Sequence, residues 1–182
     1  MNEVIKTIYN RKSVRNFSQD AVAIEDLKII AEAGVWAPNS MNAQEWHFTV
    51  VSNPTLVEKM RNACKKGMIE HGPEFLQERA KNPAYDAFYH APAVIVIAVK
   101  EGKKFDAGTA AMNMSLTAEA LGYGVCITAS TAFMFAGAPE LREELDIPDG
   151  YEYACALSVG KEVDGPDDHI RDRKFDVISY KE

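Results

Sequence analysis

The spacing of apolar positions changes along this chain, and each change of period marks a different element. Asn2 to Asn10 sets Val4, Ile5 and Ile8 at helical intervals, a short amphipathic helix that ends where a basic cluster begins. Ile24 to Val35 keeps the same period through Leu27, Ile30, Ala31 and Gly34 or Val35, and Pro38 closes it. His47 to Val51 is β-rich and is stopped by Asn53-Pro54, which predicts a strand. Leu56 to Lys66 reads as a helix. Gly67 to His90 carries no clean period, because Gly72-Pro73 and Asn82-Pro83 divide it.

Ala93 to Val99 is a continuous apolar run rich in β-branched residues, as in a strand buried on both faces. Asp106 to Leu121 is the strongest helix of the chain. It is rich in Ala, Met and Leu and apolar on nearly all sides, as expected of a helix inside a core or a subunit interface. Gly122-Tyr123-Gly124 caps it, since glycine tolerates the positive φ of a helix end. Val125 to Thr128 reads as a strand, Pro139 to Leu145 as a short helix and Ala154 to Val159 as the last core strand. The tail is polar after Gly160 and ends in Phe175 to Tyr180, an expected extended arm. Strands separated by helices without regular βαβ units or a Gly-x-Gly-x-x-Gly turn argue for an α+β fold rather than a dinucleotide-binding one. No Gly-x-x-x-x-Gly-Lys phosphate loop occurs either.

Composition narrows the classes. The chain has 182 residues, enough for one domain with a sizeable core, and is 47% hydrophobic and 26% charged, as in an ordinary globular protein. A net charge of −7 argues against a general nucleic-acid binder. The start, Met1-Asn2-Glu3-Val4, lacks an apolar signal region, and the longest apolar run is about half a membrane span. Cys64, Cys126 and Cys155 are odd in number and far apart, which disfavours disulfides, and His47, His71, His90 and His169 show no ligand spacing. The expectation is a cytoplasmic protein without a structural metal, in contact with neither membrane nor nucleic acid.

Against the acidic balance, two basic clusters stand out: Arg11-Lys12-Ser13-Val14-Arg15, and Arg171-Asp172-Arg173-Lys174 near the other end. Guanidinium groups and hydroxyls suit phosphate oxygens through charge-assisted hydrogen bonds, although either cluster would also serve as a solvated surface run. Two further segments offer neutral polar groups. Ala37 to Trp46 carries Asn39, Ser40, Asn42 and Gln44 between a helix and a strand. It suits a heterocycle edge or a polyol chain, or simply a helix cap and turn. Leu121 to Ser130 runs from a glycine turn through a strand to Thr128-Ala129-Ser130, where small side chains would let a flat ligand reach the backbone; the plain alternative is an ordinary strand end. No Ser/His/Asp arrangement and no activated cysteine are evident, and the acidic pairs Glu25-Asp26 and Glu143-Glu144 read as exposed helix faces. Polar contacts without an evident acid, base or nucleophile point to chemistry carried by a cofactor.

In order and over nearly the whole chain, these segments resemble the FMN-dependent nitroreductase family. The resemblance rests on Arg11, Ser13 and Arg15 as Arg-x-Ser-x-Arg, on Ala37 to Trp46 as Ala-Pro-Ser-x-x-Asn-x-Gln-Pro-Trp, on Leu121 to Gly124 as Leu-Gly-x-Gly, and on the terminal Arg171 and Arg173. Asn39 stands where the family usually has Ser, and Glu45 where it usually has Pro, which sets a charge beside the expected pocket. Gly67 to Ala91 carries no correspondence.

The resemblance implies a mixed, mainly antiparallel central sheet flanked by helices, in a single domain spanning residues 1–182. It also implies an intertwined homodimer with two FMN sites at the subunit interface, residues 165–182 forming an arm toward the partner. Arg11, Ser13, Arg171 and Arg173 would hold the phosphate, with Arg15 completing the first motif. Lys12, with Arg11 as a second candidate, would lie near the N1–C2=O edge of the flavin ring, where a cation stabilises charge on reduction. Asn39, Ser40, Asn42 and Gln44 would reach the flavin bound mainly by the partner, and the backbone at Ala129 and Ser130 would face N5 and O4. No side chain is expected to act as a catalytic residue. NADH or NADPH would give a hydride to the flavin and leave before a nitroaromatic- or quinone-type acceptor takes its place, a ping-pong cycle. Three rivals stand beside this: a flavin-consuming or dehalogenating relative, an FMN storage or sensor protein, and a flavin-free phosphate-binding module.

Overall fold

In the computed structural model, which describes residues 1–163 and 172–182, the central layer is a sheet of β1 (Trp46–Val51), β2 (Ala93–Lys100), β3 (Gly124–Thr128) and β4 (Tyr151–Gly160). The strands lie in the order β1-β2-β4-β3 and every pairing is antiparallel. The expectation of a mixed sheet is corrected to that extent. Among the described residues the parallel element is one isolated bridge, Ser13 to Val125. The α+β class and the flanking helices stand as expected.

β2 explains the layering. Val94, Val96 and Ala98 join a cluster on one face, while Ile95, Ile97 and Val99 join a second cluster on the other. A strand covered on both sides has no polar position to alternate with, hence its unbroken apolar sequence. The first face is covered by α3 (Pro54–His71), α4 (Glu74–Lys81), α6 (Met134–Gly137) and α7 (Leu141–Glu144). The second is covered by α2 (Ile24–Val35) and α5 (Lys104–Ala120). The α1 helix (Glu3–Asn10) leans on α5 from outside and buries no residue of its own.

Some boundaries differ from the sequence pattern, each for a packing reason. Gly67 does not end α3, because it sits against α6: a Cβ there would lie 2.0 Å from Phe133 O. The helix runs on to His71, and Gly72-Pro73 stops it. α5 is not buried all round. Ala107, Ala110, Ala111, Met114 and Ala118 face the core, whereas Phe105 and Met112 are 81% and 45% exposed on the opposite side. Asp26, expected on a solvated face, is half-buried and accepts a hydrogen bond from the Tyr123 hydroxyl at 2.7 Å, whereas Glu25, Glu143 and Glu144 are exposed as expected, Glu144 pairing with Lys59. The tail from Phe175 to Tyr180 is not a plain extended arm; it turns once, with Ile178 N–H donating to Phe175 O at 3.3 Å. Among the described residues no helix is long and apolar enough to cross a membrane, and no His, Cys, Asp or Glu cluster could hold a metal.

Candidate functional site

The first basic cluster is pinned rather than loose. Val14 N–H donates to Val125 O (3.0 Å), so the chain at Ser13 lies along the start of β3. Ser18 N–H donates to Lys161 O (2.9 Å) and Val163 N–H to Asn16 O (3.2 Å), which tie the rest of the segment to the end of β4. Val14 and Phe17 are buried with Ala91 and Cys126, so Arg11, Lys12, Ser13 and Arg15 are left half-buried around them. Arg15 Nη1 donates to Ser13 O (3.3 Å), and Lys12 Nζ pairs with Glu162 at 2.8 Å. Burial pushes the Cys126 thiol up, with Arg15 and Arg11 pulling against it, so two of these cations act on β3 itself.

Arg11 also opens onto a groove of about 800 Å³ between α1, α5 and the C-terminal tail. Arg173 and Lys174 line the same groove, whose walls include Ile8, Tyr9, Met112 and Leu116. The two basic clusters therefore meet, as far as the described residues reach; Arg171 and the first part of the proposed arm lie outside them. Cations together with apolar walls in one groove match a ligand with a phosphate and a flat body.

Ala129 and Ser130 follow the far end of β3, about 13 Å beyond Val125 at the usual rise of a strand. Both are exposed, and neither backbone N–H is hydrogen-bonded among the described residues. The ground beneath them is firm. The Tyr153 hydroxyl donates to Thr128 O (3.0 Å) and is hydrogen-bonded to Thr131 Oγ1. Burial holds the Tyr153 phenol well above its ordinary value, so it stays neutral.

The loop after α2 divides its labour. Asn39 Oδ1 accepts from Gln44 N–H (2.9 Å) and its Nδ2 donates to Ala37 O (3.4 Å), so this side chain braces the loop from inside. Ser40 donates through both its amide (3.2 Å) and its hydroxyl (3.1 Å) to Asp106 Oδ1 at the start of α5. The helix-cap-and-turn reading is thus partly right, and Asn39 and Ser40 spend their polar atoms within the chain. Asn42 and Gln44, exposed as Ser40 is, make no side-chain hydrogen bond among the described residues and take left-handed backbone at φ 52° each, beside Met41 at φ 56°. Glu45 is not a bare charge: Lys100 Nζ at 3.0 Å and Lys103 Nζ at 3.4 Å hold it, and the Lys100 hydrogen bond lowers its carboxyl below the ordinary value.

The loop and the groove lie apart within one chain. Asp106 anchors the loop, while Met112 and Leu116 line the groove about 9 and 15 Å further along the helix axis. Asp106 was not legible as a site residue, because a lone acid in the first turn of a helix looks like an ordinary dipole partner. Its apolar surroundings, Phe105, Ala107 and Ala110, were the available signal.

Known proteins share this fold over the whole chain. A nitroreductase of Bacteroides fragilis, solved with bound FMN, is 28% identical and superposes with a TM-score of 0.91, covering 100% of both chains. A nitroreductase of Desulfitobacterium hafniense with bound FMN is 30% identical, with a TM-score of 0.89 over 100% of each chain. An FMN reductase [NAD(P)H] of Bacillus subtilis is 31% identical over 171 residues, 87% of this chain and 64% of its own length. The profile of the nitroreductase family matches residues 8–161, from the basic cluster to the end of β4, and the chain therefore belongs to that family.

Proposed function

We propose that the protein is an FMN-dependent oxidoreductase of the cytoplasm that carries a hydride from NADH or NADPH to a small organic acceptor, of nitroaromatic or quinone type, in a ping-pong cycle. The observation that carries this reading is the convergence of Arg11 and Arg173, from opposite ends of the chain, on one apolar groove. The donor set fits FMN. Arg11, Ser13 and Arg173, with Arg171, would take the phosphate, Arg15 supporting the motif through its bond to Ser13 O. Lys12 would stand near the N1–C2=O edge, and the free amides of Ala129 and Ser130 would meet the N5–O4 side. FMN supplies the redox chemistry when bound, accepting a hydride at N5 and passing it on. The chain's own part is to position the ring, stabilise charge at its edge and leave one face open to both reactants in turn.

The active unit would be a homodimer. Phe105 and Met112 on α5, with Val4, Ile8 and Tyr9 on α1, expose an apolar surface of the kind a second copy covers. With the groove displaced along α5 from the loop, Asn42 and Gln44 would serve the flavin of the partner, and the tail would reach across the same interface. Three free, buried cysteines fit a reducing compartment.

The test is a visible spectrum of the purified protein, then anaerobic NADH and NADPH. A flavin spectrum bleached by either donor is expected. Flavin that stays oxidised with both would favour storage or sensing, and protein that takes up no FMN would overturn the reading. Arg11→Ala with Arg173→Ala should weaken FMN binding by about 3 kcal/mol or more, at about 1.5–3 kcal/mol for each charged hydrogen bond lost. Unchanged FMN retention would refute the phosphate assignment.

A further inference from the structure

Both ends of the exposed loop are gripped by one short stretch, the junction between β2 and α5. At the leading end, Ser40 gives both its amide and its hydroxyl to Oδ1 of Asp106, whose residue is only 4% exposed. Thr109 Oγ1, one turn further along α5, lies 2.8 Å from Pro38 O and 2.7 Å from Asp106 O. At the trailing end, Lys100 N–H donates to Glu45 O (3.1 Å), and the Lys100 and Lys103 ammonium groups hold the Glu45 carboxylate.

Two features need an explanation. A buried carboxylate is costly unless its hydrogen bonds compensate, and Asp106 makes no ion pair among the described residues. The bonds it makes go to Ser40. Between the anchors, Met41, Asn42 and Gln44 all take left-handed backbone, which non-glycine residues keep only when their surroundings enforce it. Met41 at the tip is 99% exposed in the single chain. Within the chain the loop is held by Asn39, whose Oδ1 accepts from Gln44 N–H, and by the two anchored ends. We infer that Asp106 is a positioning residue: through Ser40, and with the Glu45–Lys100 pair as second anchor, it holds Asn42 and Gln44 in the shape that meets bound FMN.

This rests on the flavin reading above, and the experiment separates the two. Amide exchange across 39–45 is measured in FMN-free protein, and FMN affinity by titration, for wild type, Asp106→Ala, Asp106→Asn, Ser40→Pro and the double variant Asp106→Ala with Ser40→Pro. Proline suits the first position of the 3-10 turn (Ser40–Asn42) and removes both donors of Ser40 without touching the core. Asp106→Ala should speed exchange of the Ser40 amide and weaken FMN binding about tenfold, with core amides unchanged. Asp106→Asn keeps an acceptor oxygen in place and should restore both to within about threefold. Ser40→Pro should match Asp106→Ala in FMN affinity and in the exchange of the amides of residues 41–45, and the double variant should be no worse than either, because both remove one linkage.

Wild-type affinity in Asp106→Ala would overturn the positioning role, as would unchanged loop exchange or a double variant near a hundredfold. Should Asp106→Ala not fold, wild-type FMN affinity in Ser40→Pro would overturn it equally. Wild-type protein that binds no FMN would instead refute the flavin reading and the positioning role with it.

Discussion

The two faces of the sheet are finished to different degrees. On the α3/α6 face the packing closes within the chain, with two glycines meeting backbone to backbone. A Cβ on Gly67 would lie 2.0 Å from Phe133 O, and one on Gly137 2.0 Å from Ala63 O. On the α2/α5 face the inner side of α5 is as dry, with Met114 wholly buried, but its outer side carries Phe105 and Met112 toward solvent and α1 adds a further apolar stripe. The difference teaches where function sits. The closed face is scaffold, whereas the open face adjoins the groove of Arg11 and Arg173 and bears the loop anchored at Asp106.

Gly67→Val tests the closed face most harshly. The clash is with backbone on both sides, so a loss of more than about 3 kcal/mol is expected in urea unfolding. A loss under about 1 kcal/mol would mean that α3 and α6 are not in that close contact. Met114→Ala, on the inner side of α5, should cost about 3 kcal/mol as a cavity in a dry core. Met112→Ser, on the outer side of the same helix, should change the stability of the single chain by less than about 0.5 kcal/mol. It should nevertheless shift sedimentation toward monomer. A large stability loss with no change in association would erase the distinction between the two sides of α5.

Thiol reactivity sharpens the comparison further. Burial pushes Cys64, under the α3 face, up to about 12, and Cys155, in the α5 cluster, up to about 11. Native protein should therefore resist an aromatic disulfide reagent at neutral pH, with three thiols reacting after unfolding. At urea concentrations below the midpoint Cys155 should react first, by about tenfold, if the open face loosens first. Equal rates would indicate one cooperative unit.

The smallest effect concerns Glu45. Its carboxyl is held below the ordinary value, first by the Lys100 hydrogen bond, so its contribution is present at neutral pH and lost as pH falls through the folded value. Wild type and Glu45→Gln should differ slightly in Tm near neutrality and converge in acid, once the pH falls below the lowered folded value and the carboxyl is protonated in both states. A difference that grows in acid would contradict the sign.

The sequence by itself determined the elements whose signal is local. The span Ile24–Val35, the buried run of β2 and the glycine turn before β3 all follow from side-chain period and backbone freedom over a few residues. The order of the motifs likewise carried the family. Tertiary structure alone decided what depends on distant partners. Gly67 reads as a helix end, yet it lies inside α3 because α6 packs there. Asp106 reads as a first-turn acid, yet its carboxylate is bound to Ser40. Glu45 reads as a charge at a pocket, yet two lysines neutralise it. Arg11 and Arg173 read as two separate surface runs until the fold sets them in one groove. The physical reason is the same throughout. Period and propensity are properties of neighbouring residues, whereas the partner of a buried charge or a bare glycine backbone is chosen by which elements the folded sheet brings together.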